Sequence, residues 1–199
     1  MAAQLKICGL MQPPQAAAVA RLGANAIGVI AARPSKRFLP PEQRPALWEA
    51  VANANPACCR VLVVVNPSDS ELQSLRPEQG RELLQLHGEE TPERCQHLRD
   101  ALGFPLWKAL RIGSAADLKR AETYSVVVDG LLLDASSESA HGGTGERLPL
   151  QWLHGFEPAL PWWLAGGLGP SNAREALEQL AKQGLKPTGL DASLSLIHI

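Results

Sequence analysis

Short runs of valine, isoleucine and leucine that are apolar at almost every position constrain this chain more than any other feature. RVLVVV at 60–65 and DGLLLD at 129–134 are examples. A strand with one face in water alternates apolar and polar residues. A strand that is apolar throughout is buried on both faces, which points to a parallel sheet covered by helices. Eight segments read as strands: Leu5–Cys8, Ala26–Ile30, Arg60–Val65, Leu83–Leu86, Leu106–Leu110, Gly130–Leu133, Trp162–Ala165 and Thr188–Ala192.

Helical stretches lie between them. Pro13–Leu22 has a proline pair at its entry and Gly23 just past its end, the expected asymmetry. Pro41–Ala52 carries Leu47, Trp48 and Val51 at helical spacing. Thr91–Leu102 opens with a capping threonine and closes at Gly103. Ser114–Tyr124 and Ser171–Gln183 start at a serine, and Ser68–Leu75 and Leu150–Leu153 are shorter helical segments. A doubly wound sheet and a closed (βα)8 barrel both satisfy this alternation. Eight strands fit closure, and 199 residues lie at the lower size limit of about 200 for such barrels. Counting therefore favours an α/β (βα)8 TIM barrel.

Composition narrows the partners. With 45% hydrophobic and 20% charged residues the chain is of ordinary globular type. A net charge of -1 offers no electrostatic footprint for nucleic acid or an anionic membrane. No apolar run approaches the ~20 residues that span a bilayer. The four cysteines, at 8, 58, 59 and 95, show no zinc-like CxxC spacing; a reduced, cytoplasmic setting is expected.

In a barrel, function sits at the C-terminal ends of the strands. Cys8 ends the first strand. It is either a small buried hydrophobe or a thiolate base. Asp134 closes the LLLD run, as a helix cap or solvated strand end, or as the acid partner of Cys8 across the mouth. Gly166 and Gly167 precede a helix that starts near Ser171. That combination is either a tight turn or a set of free backbone amides suited to a phosphate. GGTG at 142–145 is another permissive loop, without the lysine and spacing of a P-loop. Arg37, in the polar loop after the second strand, is a solvated charge or a bidentate carboxylate ligand. His87 is a hydrogen-bonded structural residue, or by type a base or metal ligand.

The motifs KICG at 6–9, GANAIGV at 23–29, SKRF at 35–38, VVVN at 63–66, QLHG at 85–88, LLLD at 131–134, GGTG at 142–145 and LAGGL at 164–168 occur in this order. Over residues 4 to 193 the chain resembles phosphoribosylanthranilate isomerase of tryptophan biosynthesis. The resemblance implies a (βα)8 barrel that carries out an Amadori rearrangement of a phosphorylated aminoaldose. It implies Cys8 as general base, Asp134 as general acid, Arg37 on the anthranilate carboxylate, Gly166 and Gly167 on the phosphate, and Asn172 at the start of the following helix as part of the substrate site. It implies no metal and no organic cofactor. A small phosphorylated molecule is the expected partner, and the protein is expected as a monomer or homodimer.

The sequence departs from the family pattern in three places. Leu10-Met11-Gln12 replaces a more polar segment after the first strand. Lys36 stands where the family has proline before the arginine. After Asp191-Ala192-Ser193 the chain reads Leu194-Ser195-Leu196-Ile197-His198-Ile199 in place of a glycine-bearing phosphate loop and a last helix. A barrel domain over 1–193, incomplete after the eighth strand, with an atypical tail at 194–199, is therefore expected. The competing readings are indole-glycerol-phosphate synthase, for which Lys108 is a candidate catalytic lysine but no glutamate ends a strand, and an inactive or weakly active barrel fragment.

Overall fold

The computed structural model describes residues 3–75, 80, 82–135 and 147–193. The GGTG loop at 142–145 and the tail at 194–199 lie outside the described residues.

Eight parallel strands close on themselves in chain order. They are β1 (Gln4–Cys8), β2 (Ala26–Ile30), β3 (Cys59–Val64), β4 (Leu83–Leu86), β5 (Leu106–Ile112), β6 (Gly130–Ala135), β7 (Trp162–Leu164) and β8 (Gly189–Ala192). Closure rests on β1 pairing with both β2 and β8. Five α-helices are described: α1 (Pro13–Arg21), α2 (Arg44–Ala54), α3 (Pro92–Leu102), α4 (Arg120–Tyr124) and α5 (Ala173–Lys182). Thr91 caps α3 by accepting a hydrogen bond from Arg94 N, and Gly103 ends it at φ 64°.

The strands are apolar throughout because they bury two separate cores. Ile27, Val29, Leu62, Val64, Leu84, Leu86, Leu131 and Leu133 face the helices. The alternate residues, among them Ala26, Val61, Val63 and Leu83, fill the barrel interior, as do Ala109, Leu132 and Ala165. Two tryptophans plug that interior, Trp107 and Trp163, with ring centroids 5.0 Å apart. Their register neighbours are Gly130 and Gly189. A Cβ on either glycine would come within 2.8 Å or 2.4 Å of the adjoining indole, so each bulky ring is matched by a missing side chain.

Three expectations need correction. The segments read as single helices from Pro41 and Ser114 each begin as a 3-10 turn, at Pro41–Gln43 and Ala115–Lys119, before α2 and α4. Pro45 has no N–H to give the Pro41 carbonyl, as an α-helix from Pro41 would require, so the Arg44 N–H takes that carbonyl in a tighter turn; at Ser114 the Asp117 carboxylate binds the amides of Gly113 and Ser114. The stretches at Asp69–Leu75 and Leu150–Leu153 are 3-10 throughout. Asp134 lies within β6 and does not follow it, because the β5–β6 ladder runs on through Arg111↔Asp134 and Ile112↔Ala135.

Candidate active site

Strand alternation sends Lys6 and Cys8 of β1 to the same, inward face. Cys8 pairs in register with Gly28, and a Cβ there would lie 2.6 Å from the Cys8 sulfur; the glycine makes room for the thiol. Burial pushes the Cys8 thiol above its ordinary range. Lys6 and Arg37 pull it down, and Asp191 adds to the rise.

Lys6 was not singled out from sequence, yet it is central here. Its side chain is fully buried, and its ammonium lies 2.9 Å from the Asp191 carboxylate on β8. At that distance the two groups form a close buried ion pair beside the Cys8 thiol. Desolvation opposes the Lys6 charge, but Asp191 and Cys8 overcome it and hold the ammonium's pKa above its ordinary value. The available signal was two charged residues at inward positions of the first and last strands, which closure makes neighbours through Lys6↔Asp191.

Across the mouth, Asp134 Oδ2 lies 3.2 Å from His87 Nε2, and His87 Nδ1 lies 3.0 Å from Gln85 Nε2. His87 is thus a partner of Asp134. The turn carrying it is clamped from behind by Glu90, which accepts from the amides of Asn66 (2.7 Å) and Gly88 (2.9 Å). Glu90 also pairs with Lys108 at 2.9 Å, both side chains being buried. Lys108 is committed to that pair and to the Gly88 carbonyl, in the helix-facing register of β5. It is a structural cation and not the free lysine that the synthase reading needs.

Arg37 passes under Gly9. A Cβ on Gly9, whose φ is 87°, would lie 2.7 Å from the guanidinium. Arg37 Nη1 donates to the carbonyls of Cys8, at 3.3 Å, and Ser193, so the arginine ties the ends of β1 and β8 together at the mouth. Gly166 and Gly167 adopt φ of 87° and 62°, a left-handed turn natural to glycine. A Cβ on Gly166 would lie 2.8 Å from Ala135 N and 3.2 Å from Asp134 Oδ1, so this turn sits directly beside the Asp134 carboxylate. Asn172 is the N-cap of α5, which begins at Ala173 and not at Ser171. Its amide accepts from Gly169 N (2.9 Å) and donates to Gly167 O (2.8 Å). It clasps the turn, and both ends of its side chain are spent in doing so.

Residues 5–196 match the model of the N-(5'-phosphoribosyl)anthranilate (PRA) isomerase family. The chain belongs to that family. The PRA isomerase of Synechococcus elongatus is 46% identical over 194 residues, covering 97% of this chain and 87% of that protein. The fold matches the crystal structure of the Thermotoga maritima PRA isomerase with a TM-score of 0.79 at 26% identity, covering 96% of this chain and 88% of that one. A PRA isomerase in complex with reduced 1-(o-carboxyphenylamino)-1-deoxyribulose 5-phosphate matches with a TM-score of 0.72 at 27% identity, covering 96% and 87%. The fold is therefore that of a PRA isomerase, with Cys8 and Arg37 on one side of its barrel mouth and Asp134 beside the Gly166 turn. No helix among the described residues is long and apolar enough to cross a membrane.

Proposed function

We infer that this chain isomerises N-(5-phosphoribosyl)anthranilate to 1-(2-carboxyphenylamino)-1-deoxyribulose 5-phosphate, a step of tryptophan biosynthesis. Asp134 gives a proton to the ribose ring oxygen as the C1–O bond breaks. The anthranilate nitrogen supplies the electron pair and becomes the iminium. The Cys8 thiolate then takes the C2 proton, and those C–H electrons flow into the iminium to give the enolamine, which tautomerises to the ketone. The substrate supplies its own electron sink. What supports this reading most is the placement of Cys8 and Asp134 on inward positions at the same mouth. Cys8 lies within the field of the buried Lys6 ammonium, which lowers its thiol, and Asp134 is 3.2 Å from His87, itself 3.0 Å from Gln85. The left-handed Gly166-Gly167 turn, beside the start of α5, suits the phosphate.

The test is conversion of the purified chain's substrate to an isomer of identical mass carrying a ketone, followed by chromatography and mass spectrometry. Formation no faster than in buffer overturns the reading; release of carbon dioxide when the ketose product is supplied in place of the aminoaldose would point to the synthase instead.

Arg37 is assigned to the anthranilate carboxylate. A charge-assisted pair contributes about 1.5–3 kcal/mol, so Arg37→Ala is expected to raise KM about 10- to 100-fold. Arg37→Lys recovers little, because the planar fork is lost. The check uses an analogue without the carboxylate. Wild type and Arg37→Ala should bind it equally, whereas an undiminished difference would leave Arg37 as a tie for β1 and β8 alone.

A further inference from the structure

Gln85 has no part in the chemistry described above, yet its environment is unusually demanding. It lies on the inward face of β4 and is completely buried. Its Nε2 is 3.0 Å from His87 Nδ1, and the opposite ring nitrogen is 3.2 Å from Asp134 Oδ2. Its Oε1 is buried with no hydrogen-bond partner among the described residues.

An amide nitrogen can only donate. His87 Nδ1 must therefore accept, which leaves the ring proton on Nε2, where it is donated to Asp134 Oδ2. With Oδ2 occupied in this way, the acid proton of Asp134 belongs on Oδ1. That oxygen is the one beside the Gly166 turn, 3.2 Å from where a Cβ of that glycine would sit. In the opposite tautomer Nε2 is bare and accepts the Asp134 proton at Oδ2, directing it at the histidine and away from the turn.

We propose that Gln85 is a positioning residue: its amide fixes the Nε2–H tautomer of His87, and His87 in turn directs the acid proton of Asp134 to the oxygen that faces the substrate. This rests on the reading of Asp134 as the general acid. The second ring nitrogen's hydrogen bond choosing the tautomer is a general device of functional histidines. The unpartnered Oε1 is the cost of holding the amide in this orientation, since a half-turn would give that oxygen a donor only in the other tautomer.

The test combines nitrogen NMR of the His87 ring with steady-state kinetics on the full chain, in wild type, Gln85→Glu and Gln85→Met. In wild type, Nδ1 should resonate as an unprotonated nitrogen and Nε2 as a protonated one. In Gln85→Glu the new carboxylate accepts from Nδ1–H, so Nδ1 becomes protonated. kcat should fall at least about tenfold with KM little changed, because a mis-set histidine tautomer is costly to acid–base catalysis. Gln85→Met, which fills the space without holding either tautomer, should lie between the two. It also decides the matter if Gln85→Glu does not fold. A protonated Nδ1 in wild type overturns the proposal, and so does unchanged kcat in the variants. Should Asp134→Asn keep full turnover, the acid assignment falls, while the wild-type tautomer measurement still judges the Gln85–His87 contact on its own.

Discussion

Cys8→Ala lowers kcat by about 100- to 10,000-fold, the usual cost of deleting a general acid or base, while KM stays within a few-fold. Asp134→Asn, nearly isosteric and unable to act as an acid, falls in the same range. Both side chains line the mouth from strands that stay in place when they are changed. Cys8 sits opposite Gly28 in the β1–β2 ladder, and Asp134 is held within the β5–β6 ladder. The loss should therefore appear in the chemical step and not in substrate binding. The double variant should lose less than the product of the two single effects, because groups acting on one reaction path are not additive. Single-turnover kinetics with saturating enzyme provides the measurement. If Cys8→Ala turns over at the wild-type rate, Cys8 is merely packed against Gly28 and the base lies elsewhere.

Lys6→Met should be among the most destabilising substitutions in the barrel, at about 3–5 kcal/mol, because it strands the Asp191 carboxylate in the interior without its cation. Asp191 is only 4% exposed, so water cannot replace the lost ammonium. Adding Asp191→Leu should recover most of the loss, since a buried ion pair replaced by apolar groups of similar volume is often neutral. Chemical denaturation of the two variants measures this, and no recovery in the double variant would show that the packing of the Lys6 stem matters and its charge does not. The pH sign follows from the folded chain holding the ammonium's pKa above the ordinary lysine value. The stabilisation from this shift is complete below the unfolded-state titration and is lost only as pH rises through the folded-state one. Lys6→Met also removes the principal group that lowers the Cys8 thiol and leaves Asp191, which raises it. The pH needed to alkylate Cys8, read by mass spectrometry of the modified peptide, should move upward in Lys6→Met. It should move part of the way back when Asp191 is removed as well.

These outcomes depend on contacts of different legibility. The apolar character of RVLVVV and DGLLLD announced strands buried on both faces, because period-two burial is a local property of the backbone. The cap at Thr91 and the stop at Gly103 were readable for the same reason: a cap binds an amide three residues away. Cys8, Asp134, Arg37 and Gly166 stood out by lying at or just beyond strand ends, and through the motifs around them. Tertiary structure decided the rest. Counting eight strands favours a barrel, but closure is the pairing of β1 with β8, two strands from opposite ends of the chain, and only that pairing sets Lys6 beside Asp191. Trp107 finds Gly130, and Trp163 finds Gly189, across strand pairs whose register no local pattern reveals. His87 reaches Asp134 across 47 residues, and Gln85 acquires its role only because His87 does. The sequence by itself determined that there are eight strands buried on both faces and roughly where each lies, since burial and turn signals follow from neighbours along the chain; which residues face inward, and that β6 runs on through Asp134, were set by the ladders. The partners of the buried charges were decided by closure, because two groups in a low-dielectric interior must be satisfied by whatever the fold brings within about 3 Å.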